Sequence, residues 1–198
     1  MKKLVLLAVL ALALPTAVFA SSNIDYTNSG GTLSGSNSGL SLNGSTLIAV
    51  NSNAGLITGS DLGSVTFQTG ALQSGTLQNG GTFAAGGWFT ITGNGTNGVP
   101  NGTLFSGTFS GPVTWTMMTL ANGTHNYTLT GALTASSGFS GVGVTVQLTV
   151  NTGKGYFNGC TRISSGDTNV VVPEPGSLSL LGTGLIALGG MIRRKLKV

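Results

Sequence analysis

The chain has 198 residues, 34 of them Gly, and only 6% are charged, so its surface must be built from hydroxyl and amide groups rather than ion pairs. The formal charge of +4 sits at the two ends, on Lys2 and Lys3 in front and on Arg193, Arg194, Lys195 and Lys197 behind. From 21 to 172, Asp25, Asp61 and Asp167 stand against Lys154 and Arg162, about −1 in all, which leaves no basic patch for phosphates and no support for nucleic-acid binding.

The first segment reads as a secretory signal peptide. Lys2 and Lys3 form a charged start, Leu4 to Leu14 an apolar helix, and Val18 and Ala20 the small residues that signal peptidase needs at −3 and −1. Cleavage is expected after Ala20, leaving Ser21 as the mature N-terminus, and it implies the Sec translocon and signal peptidase as partners. The alternative is an uncleaved anchor, for which the apolar stretch is short.

The body, 21–172, is long enough for one domain with a core. Its Gly, Ser, Thr and Asn content suits a disordered linker, but alternating apolar residues argue for strands. Val65 and Phe67 alternate, as do Val113, Trp115 and Met117, and then Tyr127, Leu129 and Leu133 around Gly131. The longest run is Val142, Val144, Val146, Leu148 and Val150, with Gly143, Thr145, Gln147 and Thr149 between. Period two of this kind marks a half-buried antiparallel strand. Asn-Gly, Gly-Gly and Ser-Gly pairs punctuate the runs at hairpin spacing. The expected fold is all-β, a single antiparallel β-sandwich-like domain. The alternative is a β-solenoid, because Gly-Thr-Leu or Gly-Thr-Phe recurs at Gly31, Gly75, Gly81, Gly102 and Gly107, although at irregular spacing. The stretch to about Ser60 is expected to be loosely ordered or edge-like, and Thr103 to Val172 to hold the best-defined strands. Edges would lack the usual Lys or Pro, since only Pro100 and Pro112 are present in the body.

Catalytic residue types are scarce there. His125, Cys160 and three Asp are the whole inventory, with no Glu. Each Asp stands alone in sequence, whereas glycoside hydrolysis needs two neighbouring carboxylates. The surroundings of Cys160 carry no nucleophile motif to pair with His125. No His, Cys or Asp share a metal-ligand spacing. No enzyme activity, catalytic residue, metal or cofactor is therefore expected. A lone Cys excludes an intrachain disulfide and leaves an intermolecular one open. Trp88, Phe89, Trp115, Tyr127 and Tyr156 offer two readings, an aromatic platform for sugars or core.

The last segment has three parts in order: the Pro173-Glu174-Pro175 turn, the uncharged apolar run Leu178 to Ile192, and the basic cluster Arg193, Arg194, Lys195 and Lys197. The prolines remove backbone donors and keep the chain extended, as a protease site requires. Fifteen helical residues reach about 22 Å, short of the roughly 30 Å of a bilayer core. Snorkelling Arg and Lys extend that reach, so a transmembrane helix is expected with the basic end cytoplasmic. An ordinary anchor that nothing cleaves is the other reading. Val-Pro-Glu-Pro-Gly, the Gly-interrupted run and the Arg-Arg-Lys stop together resemble the PEP-CTERM signal of Gram-negative exported proteins. The resemblance implies exosortase as the processing partner, with Pro173, Glu174 and Pro175 bearing recognition and Arg193, Arg194 and Lys195 the stop-transfer. It further implies transient anchoring in the inner membrane, then the cell surface or extracellular space, and a link to extracellular polysaccharide or biofilm. A carbohydrate-binding module is the alternative.

Overall fold

In the computed structural model the described residues are 22–137 and 144–172, and Asn23–Val172 forms a compact unit. Thirteen strands build it: β1 (Ser22–Ser29), β2 (Thr32–Ser36), β3 (Gly39–Ser52), β4 (Gly55–Gln68), β5 (Leu72–Thr76), β6 (Gly80–Phe83), β7 (Gly86–Asn94), β8 (Asn101–Phe109), β9 (Val113–Thr119), β10 (His125–Ser137), β11 (Val144–Asn151), β12 (Cys160–Arg162) and β13 (Ser165–Val172). There is no helix among the described residues. The helices expected at the two ends lie outside them.

One continuous sheet runs in the order β11-β13-β1-β3-β4-β7-β8-β10-β9-β6-β5, and β11 also pairs with β10. That second pairing closes the path on itself. Strands β1, β3, β4, β7, β8, β10, β11 and β13 form a ring in which each has a neighbour on both sides. The structure bears out an all-β, antiparallel fold and does not confirm a sandwich: the strands belong to one continuous sheet whose pairing path closes. The solenoid alternative needs parallel coils, and the registers of the ring are antiparallel wherever both partners are aligned. Antiparallel alternation round an even ring also makes β1 and β13 antiparallel.

Outside the ring, β9 continues along β10 beyond β8, with Phe109 of β8 opposite Leu133 and Thr114 of β9 opposite Thr130. The β5–β6 hairpin extends the sheet from β9, and β2 with β12 extends it from β3.

Period two carries the core. On β11, Val144, Val146, Leu148 and Val150 are buried while Thr145 and Gln147 are exposed; Val142, expected in the same strand, lies outside the described residues. Val65, Phe67, Val113, Trp115, Tyr127, Leu129 and Leu133 are buried as their alternation predicts. At Gly131 the inward place is taken by a neighbour, because a Cβ there would come within 2.9 Å of the Phe109 ring.

The expectation of a loosely ordered start is corrected. The 14-residue strand β3 lies wholly within it and β4 begins there, and Leu33, Leu40, Leu42 and Leu47 are fully buried. Two buried pairs, Leu40/Leu42 and Ser45/Leu47, are out of phase in sequence. A register shift between Leu42 and Ser45, where Gly44 takes φ +66°, turns both pairs inward.

The interior holds two aromatic groups. Phe67, Phe89, Phe105 and Phe109 pack through ring pairs 6.0 to 6.4 Å apart. Trp115 stacks on Tyr127 at 5.0 Å, with Phe157 edge-on to Trp115 at 5.5 Å. Each buried side-chain N or O among the described residues has a hydrogen-bond partner. Asn28 Nδ2 donates to Ser45 Oγ at 2.7 Å, and Ser45 Oγ donates to the Ser29 carbonyl at 3.2 Å. An apolar interior with Thr, Gln and Asn outside is the reverse of the polarity of a lipid-facing barrel.

Candidate functional site

The sorting residues read from the sequence, Ala20, Ser21, Pro173, Glu174, Pro175, Arg193, Arg194 and Lys195, lie outside the described residues. What the structure places is the strand that leads into the tail. β13 ends at Val172, immediately before Pro173. It is held by β11 through six aligned residues, from Ser165 opposite Thr149 to Val170 opposite Val144. Its other neighbour is β1. There a Cβ on Gly166 would lie 2.6 Å from Asn28 Oδ1, so the small residue permits close approach of the two strands. The antiparallel pairing puts the start of β1 and the end of β13 at the same end of the ring.

In the body, the three Asp are not all isolated as their sequence positions suggest. Asp25 on β1 and Asp167 on β13 come close enough for the charge of one to act on the other. Partial burial raises the pKa of Asp25 above the ordinary 3.8, and the Asp167 charge raises it further. Sequence reasoning missed this pair because 142 positions separate them, and only ring closure brings them together. Their Cα partners on the flanking strands are Asn51 and Gln147, so the row is polar and lies on the outward face.

A carboxyl group whose pKa is raised on folding costs stability when ionised. The cost is absent below the unfolded pKa and appears as pH rises through the folded one. Asp25→Asn is therefore expected to stabilise the body at pH 7 by about 0.5 kcal/mol, a small effect because the group is largely solvated. The gain should vanish below about pH 3. Urea melts of both chains across that range test it; a constant difference at every pH would contradict the assignment.

Asp61 has a local role. Its side chain accepts hydrogen bonds from the Gly63 N–H and from Asn94 Nδ2, both at 3.2 Å, while Thr96 Oγ1 donates to its carbonyl at 2.9 Å. This binds the β7–β8 loop to β4.

His125 is buried at the start of β10, with Nδ1 3.0 Å from Thr119 Oγ1 and the Tyr156 ring stacked over it at 4.4 Å. Cys160 is a free, exposed thiol on β12. No hydrogen bond or ring contact joins Cys160 to His125 among the described residues.

The five aromatic residues divide. Phe89, Trp115 and Tyr127 are core, while Trp88 (42%) and Tyr156 (54%) are exposed. Trp115 Nε1 donates to the Leu77 carbonyl at 2.9 Å and Tyr127 Oη to the Gln78 carbonyl at 2.7 Å, so both tether the β5–β6 turn. On the outer face Trp88 stands opposite Gln68, which stands opposite Ser41. A surface cavity of about 170 Å³ lined by Ser36, Ser38, Gly39, Leu40, Ser41 and Gln68 adjoins this row. It is a neutral hydroxyl-and-amide hollow beside an exposed indole. Gln68 and the serines were invisible to sequence reasoning because only the strand register brings them beside Trp88.

A family model of the PEP-CTERM protein-sorting motif matches residues 171–195. No curated protein and no solved structure matches the chain. The matched stretch begins inside β13 and runs through Pro173-Glu174-Pro175, the apolar run and Arg193 to Lys195. The chain thus carries a PEP-CTERM sorting motif. Such a motif implies an exported protein destined for the cell envelope or surface, with exosortase as its processing partner.

Proposed function

We propose that the chain is a non-enzymatic surface or extracellular-matrix protein, linked to extracellular polysaccharide or biofilm. In this reading the signal peptide is removed after Ala20, Leu178 to Ile192 holds the chain transiently in the inner membrane, and exosortase releases the body at the tag. The observation that carries it is the sorting motif at 171–195 on a β-rich body with a nearly uncharged exterior. Hydroxyl and amide groups hydrogen-bond to hydrated polysaccharide without counter-ions, which suits a matrix component. The Asp25–Asp167 pair, the nearest approach to a catalytic carboxylate pair, lies on the outward face.

The test is the C-terminal mass of the surface-extracted protein from cells with and without exosortase. Loss of the segment beyond the Pro-Glu-Pro motif is expected only when the enzyme is present. An intact Lys197-Val198 end in both would defeat the sorting reading.

A second reading, a carbohydrate-binding module, is favoured by one feature: Trp88 beside Gln68 and the serine-lined hollow. An exposed indole stacks on a sugar ring while neighbouring amide and hydroxyl groups bond its hydroxyls.

A further inference from the structure

We propose that the outward face of β7, β4, β3, β2 and β12 binds a linear acidic polysaccharide, which rests on the carbohydrate-binding reading above. Trp88 stacks on a sugar ring at one side, and Arg162 takes a carboxylate at the other. The first observation is a polar row longer than the serine-lined hollow. Trp88 stands opposite Gln68, Gln68 opposite Ser41, Ser41 opposite Ser34 and Ser34 opposite Cys160. None of the five is buried. They make four strand-to-strand steps, about 19 Å in all, which is room for several linked rings rather than one.

The row is fixed in place at both sides. A Cβ on Gly87 would run into the Gln68 carbonyl oxygen, so β7 lies tight against β4 where Trp88 leaves the sheet. At the far side the Gly35 N–H donates to the Gly159 carbonyl at 2.8 Å, which ties β2 to the residue before Cys160. A surface arranged in advance loses little binding energy to ordering itself.

The second observation is charge. The row itself carries none, and the next outward pair along β2 and β12 is Thr32 with Arg162. Arg162 is exposed beside Gly30, and its side chain has no ion-pair or hydrogen-bond partner among the described residues. A guanidinium without an internal partner can take a carboxylate through two parallel hydrogen bonds, and a neutral glycan offers no such group. One cation is too few for a nucleic acid, whose binding needs several phosphate contacts. The carboxylates of the body do not compete. Asp25 faces Asn51, eight residues along β3 from the Asn43 that faces Thr32, roughly 25 Å away and well beyond a Debye length in physiological salt. Asp167 stands by Asp25, and Asp61 is engaged by Gly63 and Asn94. An uncharged stacking surface at one side and a lone cation at the other select a chain of sugar rings that bears carboxylates.

The test is an array of linear hexasaccharides in matched pairs, each uronic-acid form beside its methyl ester, probed with surface-extracted protein at low salt. The parent should bind the acid forms at least about fivefold tighter than the esters. Arg162→Gln should bind both forms alike, at the parent's affinity for the ester, and Lys154→Gln, which changes the body's other cation, should keep the preference. Trp88→Ala should lose both forms. A bulky maleimide on Cys160, the chain's one thiol, covers an end of the row and should weaken hexasaccharide binding several-fold. A parent that binds acid and ester alike would overturn the acidic ligand and leave the carbohydrate-binding module standing; a parent that binds no glycan would overturn both. Equal losses in Arg162→Gln and Lys154→Gln would assign the preference to net charge, and unchanged binding after labelling would mean that the ligand does not follow the row. Either result overturns the assignment.

Discussion

Trp115→Ala is expected to lower the unfolding free energy of the body by about 4 kcal/mol, enough to unfold a domain of ordinary stability under mild denaturant. Trp115 is 1% exposed, stacks on Tyr127 and meets the edge of Phe157. Truncation leaves a large cavity among the remaining rings. It also removes the 2.9 Å bond that holds the Leu77 carbonyl. Tyr127 Oη, which accepts from the Phe157 N–H at 3.0 Å and donates to Gln78, loses the surface it rests on. Trp88→Ala is the matched control, because Trp88 is exposed on β7. It should change stability by less than about 0.5 kcal/mol. Urea melts followed by circular dichroism separate the two residues, and a Trp115→Ala midpoint equal to the parent's would contradict its place in the core. The same Trp88→Ala protein tests the second functional reading. If the indole is a sugar platform, saturable binding on a glycan array is lost while the fold persists; if no glycan binds the parent, that reading falls.

The two tryptophans also mark what the sequence makes legible. Trp115 lies in the alternation Val113, Trp115, Met117, and its burial follows from that phase. Trp88 has the buried Phe89 beside it, and its outward direction follows only once the phase of β7 is set by Phe89 and Ile91. Strand existence was readable wherever the period held, as on β11. It failed at β3, because the step after Leu42 breaks the period and looks like polar filler between turns. The ring was not readable, since nothing in β1 or β13 records that they are neighbours. For the same reason the Asp25–Asp167 approach and the Ser41–Gln68–Trp88 row appear only with the register. The tail needs no tertiary structure to be read, and so it was the most legible part of the candidate site.

Ring closure also resolves a difficulty raised by the composition. A β protein with almost no Lys or Pro in its body has few means of protecting edge strands, yet eight of its strands have no free edge along the ring. The edges left at the sheet ends among the described residues are β5, five residues long with an irregular register against β6, and β12, three residues long and carrying Arg162. Short, irregular or charged edges template poorly. The topology thus supplies much of the protection that charge supplies elsewhere, and a surface of Thr, Ser and Asn becomes compatible with staying folded.

Gly63→Ala should be the most damaging of the glycine substitutions compared here, at about 3 kcal/mol or more. Gly63 lies on β4 with Leu47 of β3 on one side and Gly93 of β7 on the other. Its φ is +147°, and a Cβ there would stand 1.9 Å from the Thr92 carbonyl oxygen and 2.8 Å from the Gly93 Cα. The obstacle is backbone, so no rotamer change relieves it; β4 and β7 would have to move apart within the ring. Two controls separate contact from conformation. Gly44→Ala meets nothing within 4 Å but has φ +66°, so it should cost about 1 kcal/mol from the backbone alone. Gly111→Ala meets nothing within 4 Å and has no positive φ, so it should lie within about 0.5 kcal/mol of the parent. The ordering Gly63, Gly44, Gly111 in denaturant midpoints is the expected result. A Gly63→Ala protein as stable as Gly111→Ala would mean that β4 and β7 do not approach as closely as the ring requires, and the closed sheet would have to be redrawn at that seam.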